Sequence, residues 1–228
     1  MKTGEQTTPG RETHGPYVPA LGFRALTRLY DPLLRLTLRE EEFKGRLIAG
    51  ARIQAGHSVL DLGCGTGTLA LMVKRTQPQA AVTGVDGDSD VLAIARRKVE
   101  AAGVDVKFRE GLAFQLPFED SSFDRVLSSL VFHHLTTPDK ARSLAEVFRV
   151  LQPGGELHIA DWGRPQNALM ALAALGIRLL DGAETTRANL HGEMPALIEN
   201  AGFSAVDEGY RGMTVFGTLS LYSGVRAG

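Results

Sequence analysis

"VLDLGCGTGTLA", residues 59–70, is the stretch that decides the fold. An apolar run ends at Asp61-Leu62, three glycines follow within five positions at Gly63, Gly65 and Gly67, and Leu69, Ala70 and Leu71 resume the apolar pattern. That order reads as a buried strand, a tight turn and the start of a helix. Glycine permits positive φ and carries no Cβ, so a ligand is able to lie against the main chain and meet amides at the helix start. A turn kept tight for its own sake would need the same residues, so the glycines alone do not identify the ligand.

Outward from this stretch the pattern is regular. Residues 67–76 read as a helix closed by Pro78, "AAVTGVD" as a second strand, and 88–102 as a helix with Leu92, Ala95, Val99 and Ala102 on one face. "VDVKFREG" is the third strand and "FDRVLSSLVFH" the fourth. Thr137-Pro138 opens a helix, with Leu144, Val147, Phe148 and Leu151 spaced i, i+3, i+4, i+7; "QPGG" stops it, and "ELHIAD" is the fifth strand. Strands alternating with helices imply right-handed crossovers and a parallel sheet covered on both faces. After a helix at about 191–201, "AVDEGYRG" and "TVFGTLSLYSG" are spaced as an antiparallel edge hairpin. The expected fold is α/β: a doubly wound, seven-stranded sheet, mostly parallel, in a single domain over residues 21–228.

Upstream, Asp31-Pro32 starts a helix bearing Leu33, Leu34, Leu36 and Leu38, and Phe43, Leu47, Ile48 and Ala51 mark a second, so residues 21–52 are expected to cap the domain. Residues 1–20, rich in Gly, Pro and Thr, read as a disordered tail without the pattern of a signal peptide. "ALMALAALGIRLL", 168–180, is broken by Arg178 and falls short of the roughly 20 residues needed to span a bilayer. It reads as a buried or lid helix within a variable region, 165–201, and membrane insertion is not expected.

The 228 residues carry a formal net charge of −1 with no block of one sign, which disfavours nucleic acid and other polyanionic partners. Cys64 is the single cysteine, so no internal disulfide forms and a reducing, cytoplasmic setting suits the chain.

The acids around the glycine turn narrow the ligand. Asp86, at the end of the second strand and 19 residues after Gly67, is placed to accept both hydroxyl protons of a ribose. Asp61, just ahead of the turn, would repel a pyrophosphate and attract an ammonium group. Thr68 stands where a dinucleotide fingerprint departs from this spacing, which disfavours NAD and FAD. A ribonucleoside with a cationic amino-acid end fits.

"VLDLGCGTGTLA", "GVDGDSDVLAIAR", "EGLAFQLPFEDSSFDRVLSSLVFHHL" and "EVFRVLQPGGELHIADW" occur in that order and together resemble the successive motifs of the class I S-adenosylmethionine-dependent methyltransferases, which have a Rossmann-like fold. The resemblance is to the small-molecule branch that includes ubiquinone and menaquinone biosynthesis C-methyltransferases, and it covers about residues 40–165. It implies S-adenosyl-L-methionine as methyl donor and S-adenosyl-L-homocysteine as product. Asp61 and the loop Gly63, Cys64, Gly65, Gly67 would hold the methionine part, and Asp86 the ribose. Gly87 would pass close to the adenosine, with Leu112, Ala113 and Ser129 completing the cofactor site. Where the family commonly has Gly-Asp-Ala, this chain has Gly111-Leu112-Ala113, and Leu112 is unable to accept from the adenine amino group.

Methyl transfer from a sulfonium needs alignment and exclusion of water, with no metal. The acceptor should approach over strands four and five, which end in Phe132-His133-His134 and Asp161-Trp162. His134, expected to titrate near neutrality, is the candidate general base or acceptor orienter, with Asp161 beside it; capping the strand or contacting the cofactor is the plain alternative. If His133 points to the opposite face, it is structural. Asp161-Trp162 departs from the Asp-Asn pairing of metal-dependent members, so no metal is expected. The apolar stretch 168–180 and the N-terminal leucines would form a greasy lid suited to a small hydrophobic or aromatic acceptor, or else core packing, and Tyr17, Tyr30 and His191 lie in the same regions. A homodimer through the edge hairpin or a leucine-rich helix stays open, as does a chain that binds the cofactor without turnover.

Overall fold

The computed structural model describes residues 40–228. The expected tail, the helix beginning at Asp31-Pro32, Tyr17 and Tyr30 lie outside the described residues. The chain runs through helix α1 (Glu40–Ala51), strand β1 (Ser58–Leu62), α2 (Thr68–Thr76), β2 (Ala81–Asp86), α3 (Ser89–Ala101), β3 (Lys107–Glu110) and β4 (Phe123–Ser129). A 3-10 turn (Phe132–His134) leads to α4 (Thr137–Val150), β5 (Leu151–Trp162), α5 (Ala168–Asp181), α6 (Ala183–His191), α7 (Met194–Asn200), β6 (Phe203–Thr214) and β7 (Gly217–Arg226).

The seven strands form one sheet in the order β3-β2-β1-β4-β5-β7-β6, with β7 antiparallel to β5 and β6. The order reverses between β1 and β4, which pair in parallel, and ligands in open α/β sheets bind at the carboxyl ends of the strands flanking such a point. One face buries Leu60, Leu62, Val126, Leu144, Val147 and Ile198; the other buries Val59, Leu69, Val73, Phe43 and Leu47. Strands covered on both faces are the physical reason they read as apolar runs without alternation. Capping side chains set the helix starts: Asp88 accepts from the amides of Asp90 and Val91, Thr136 from Asp139, and Asn167 from Met170.

Three boundaries differ from the expectation. Strand β4 stops at Ser129, because Leu130 takes a left-handed conformation (φ 59°) and the histidines form a 3-10 turn. Strand β5 already starts at Leu151, pairing with Phe123 before a register shift, so "QPGG" lies within it. The helix placed at about 191–201 is α7, which starts only at Met194, after α6 closes where Gly192 turns at φ 76°.

Candidate active site

The glycine loop connects β1 to α2 at the carboxyl edge, and all three of its glycines have positive φ. A Cβ on Gly63 would overlap the Val131 side chain, and one on Gly67 would stand 3.1 Å from Ala95 Cβ. Gly65 differs: at φ 53° its Cβ position has no atom within 4 Å. The space over Gly65 is left for something other than this chain.

Asp86 is clamped at the end of β2. Its Oδ2 accepts from the Gly65 amide at 2.9 Å and its Oδ1 from the Asp88 amide at 3.0 Å. Burial pushes this carboxyl up, and the backbone amides of Gly65, Asp88 and Gly87 oppose the rise. Each oxygen keeps a lone pair, so two hydroxyl donors fit a carboxylate already held in place. Asp61 is more enclosed: its Oδ2 accepts from the Ala70 amide at 3.0 Å, and burial raises its pKa to about 7 against the opposing pull of Lys44. Lys44 in turn pairs with Glu40 at 2.5 Å within α1. Cys64 is buried beside Gly84 and its thiol is pushed well up by burial and by Asp61 and Asp86, so it packs and does not ionise. Leu112 bridges Gln115 in a tight turn and offers apolar surface, and Ala113 packs against the core below it. Ser129, at the end of β4, has a buried Oγ without a partner among the described residues. A buried orphan hydroxyl, an open cradle at Gly65 and a clamped carboxylate at Asp86 suit a polar, nucleoside-sized ligand.

On the acceptor side the structure gathers residues that the sequence separates. Asp161 is buried at the end of β5 and accepts four hydrogen bonds: from the amides of Val131, His133 and Trp162 and from His133 Nδ1, the last two at 2.7 Å. These bonds turn the chain out of β4 and fix His133. Burial alone would raise Asp161, but His133, the Trp162 amide and Lys140 hold it below the usual carboxylate range. His133 and His134 do not point to opposite faces; in the 3-10 turn their ring centroids lie 3.9 Å apart. His134 does not titrate near neutrality as expected, because burial first, then His133 and Lys140, lower its pKa to about 3. It is a neutral imidazole.

Asp181, at the end of α5, had no signal in the sequence. Its carboxylate lies 3.7 Å from both His133 Nε2 and His134 Nδ1. The three side chains offer ligand atoms within 4.8 Å of one another, a donor set able to hold a metal ion. Lys140, fully buried, donates to the carbonyls of Leu135 and Thr185 and ties α6 to this corner. His191 is exposed at the end of α6, 3.7 Å from Glu193, and stands apart from the pair.

Residues 59–155 match a family described as "Methyltransferase domain". The chain is 40% identical over 152 residues to a demethylmenaquinone methyltransferase of Thermus thermophilus, covering 66% of this chain and 68% of that protein. It is 35% identical over 150 residues to a demethylmenaquinone methyltransferase of Deinococcus radiodurans, covering 64% and 61%. Among solved structures, a SAM-dependent methyltransferase from Aquifex aeolicus shares the fold with a TM-score of 0.65 at 20% identity, covering 88% of this chain and 97% of that one.

Proposed function

Because the chain belongs to the S-adenosylmethionine-dependent methyltransferase family and transfers a methyl group to a small acceptor, we propose that this acceptor is a hydrophobic, quinone-like ring methylated on carbon. The observation that carries the acceptor class is the 40% identity to the Thermus thermophilus demethylmenaquinone methyltransferase. The cofactor supplies an electrophilic sulfonium methyl for in-line displacement.

In this reading Asp86 takes the ribose hydroxyls on its two free lone pairs, and Gly65 leaves room for the chain of the donor. Asp61 faces the ammonium with the oxygen not bound to Ala70, and Gly63, Cys64 and Gly67 hold the loop in shape. Gly87, Leu112 and Ala113 border the adenine, which is held by apolar contact and backbone, since Leu112 has no acceptor. Ser129 directs its hydroxyl toward the cofactor at the switch point.

A ring carbon that gains a methyl must lose a proton. Asp161 fixes His133 through Nδ1 and turns its Nε2 toward Asp181, 3.7 Å away, where the proton is taken. His134, neutral and stacked on it, orients the acceptor hydroxyl. Asp161 is thus a positioning residue acting through His133, and no step needs a metal. The chain's net charge of −1 supports a small molecule over nucleic acid.

The test is incubation with S-adenosylmethionine and a short-chain naphthoquinol, a catechol or a primary amine, with the product resolved by mass spectrometry and NMR. A carbon-methylated naphthoquinol is expected. Methyl transfer to the catechol oxygen or to the amine, with the quinol untouched, overturns the acceptor class.

A further inference from the structure

All the large hydrophobic side chains left exposed among the described residues belong to α5 or to the tip of the β6–β7 hairpin: Leu169, Leu172, Leu175, Leu179 and Leu180 on the helix, Met213 and Val215 on the tip. Leu179 and Leu180 are 88% and 80% exposed. The helix is seated by Met170, Ala174 and Ile177, at i, i+4 and i+7, so its other face is turned outward. The two groups form one patch. A Cβ placed on Gly217, next to the tip, would lie 3.6 Å from Ala174 Cβ, and Asn167 Nδ2 lies 3.5 Å from Met213 Sδ. Single exposed leucines are ordinary, but a contiguous apolar face marks a contact surface.

The charges around the patch are mostly positive. Arg178 is the single charged residue between Ala168 and Leu180. Exposed Arg164 and Arg187 flank the helix in the chain, and none of the three has a side-chain partner among the described residues. Of the nearby acids, Glu184 is exposed, while Asp181 turns toward the histidines. At about 1.5 Å per residue the 14-residue helix is roughly 21 Å long, short of the ~30 Å hydrocarbon core, and no helix among the described residues is long and apolar enough to cross a membrane.

We propose that the outward face of α5 and the β6–β7 tip form a docking surface for an anionic lipid bilayer, with the leucines entering the acyl boundary and the arginines meeting headgroups. A second copy docked through the same face would bring two basic rims together. Residues 21–39 would bring Arg24, Arg28, Arg35 and Arg39 against a basic rim, with Asp31 the only acid among them. Anionic headgroups complement what both alternatives repel. Because α5 ends at Asp181, 3.7 Å from both histidines, the helix that carries the docking face also borders the acceptor corner and brings that corner to the lipid surface.

The full chain is floated with phosphatidylcholine vesicles, with and without phosphatidylglycerol, and its mass in solution is measured by light scattering. Binding to the anionic vesicles is expected, weakened by salt and lowered roughly tenfold or more in the Leu172→Glu/Leu179→Glu variant. That variant should keep the wild-type Tm and its affinity for S-adenosylhomocysteine, since both side chains are exposed and neither reaches the loop. Arg178→Glu should remove the preference for anionic over neutral vesicles. Equal binding to both vesicle types, absence from both floated fractions, or a dimer that the leucine variant dissociates overturns the proposal. Vesicle binding needs no turnover, so a chain that floats but leaves the naphthoquinol unmethylated rejects the acceptor class alone.

Discussion

Gly65→Ala separates the cost of the loop's geometry from the room kept for the cofactor. Gly65 sits at φ 53°, so an alanine there adopts a left-handed conformation that costs roughly 1–2 kcal/mol. Its methyl meets no atom of the protein within 4 Å, so no packing penalty adds to this. For a chain of this size the loss is about 2–8 °C in Tm, read by differential scanning fluorimetry. If the cofactor lies over this position, the same methyl intrudes on it at an overpacking cost of about 1–3 kcal/mol, or one to two orders of magnitude in Kd. Titration calorimetry with S-adenosylhomocysteine, well below the new Tm, measures that second term directly. Gly63→Ala is the contrast. Its methyl would overlap Val131, so the fold suffers first and the Tm should drop further. A Gly65→Ala protein that melts lower but binds S-adenosylhomocysteine within twofold of wild type would refute the placement of the cofactor against this loop.

Asp86→Ala removes the ribose acceptor and the anchor of the Gly65 and Asp88 amides, and should weaken S-adenosylhomocysteine binding by about 1.5–3 kcal/mol in calorimetry; unchanged affinity rejects the ribose assignment. His134→Ala should slow turnover with cofactor affinity nearly intact, whereas Asp161→Asn, which loses acceptors for a buried turn, should lower both turnover and Tm. Equal loss of turnover and cofactor affinity in His134→Ala would assign that residue to the cofactor. Asp61, with its pKa raised to about 7, is neutral in the free protein at lower pH and must ionise to meet an ammonium. Affinity for S-adenosylhomocysteine should therefore rise up to about tenfold per pH unit below 7, with proton release, and level off above it. The raised pKa also sets the sign for stability: the folded state is favoured below pH 3.8, and that advantage is lost as pH rises toward 7. Asp61→Asn keeps an acceptor for Ala70 and should abolish the pH dependence of binding; a dependence that persists places the titrating group elsewhere.

The geometry of the glycine turn was legible in the sequence because its signals are local. A strand, a glycine turn and a helix start within 12 residues, with an acid at the end of the next strand, leave few ways to fold, and the sheet order follows from the alternation of elements. The acceptor side is built differently. His133 and His134 come from the turn after β4, Asp161 from β5 and Asp181 from the end of α5, so their meeting depends on how three elements pack. Even the strand boundary was hidden: an apolar run such as "SSLVF" gives no sign that Leu130 will leave the sheet, and it is Asp161, 31 residues later, that accepts the amides on which the turn closes. Composition marked 168–180 as apolar without saying which side is inward. The inward positions are filled by Met170, Ala174 and Ile177 while the leucines face out, a division that appears only once the helix is packed on β7. Asp61 is more constrained than its local signal shows. Read alone it is a free carboxylate ahead of a loop; in the structure one of its oxygens already closes the turn onto Ala70, so the other must answer both for its own burial and for any cation brought to it.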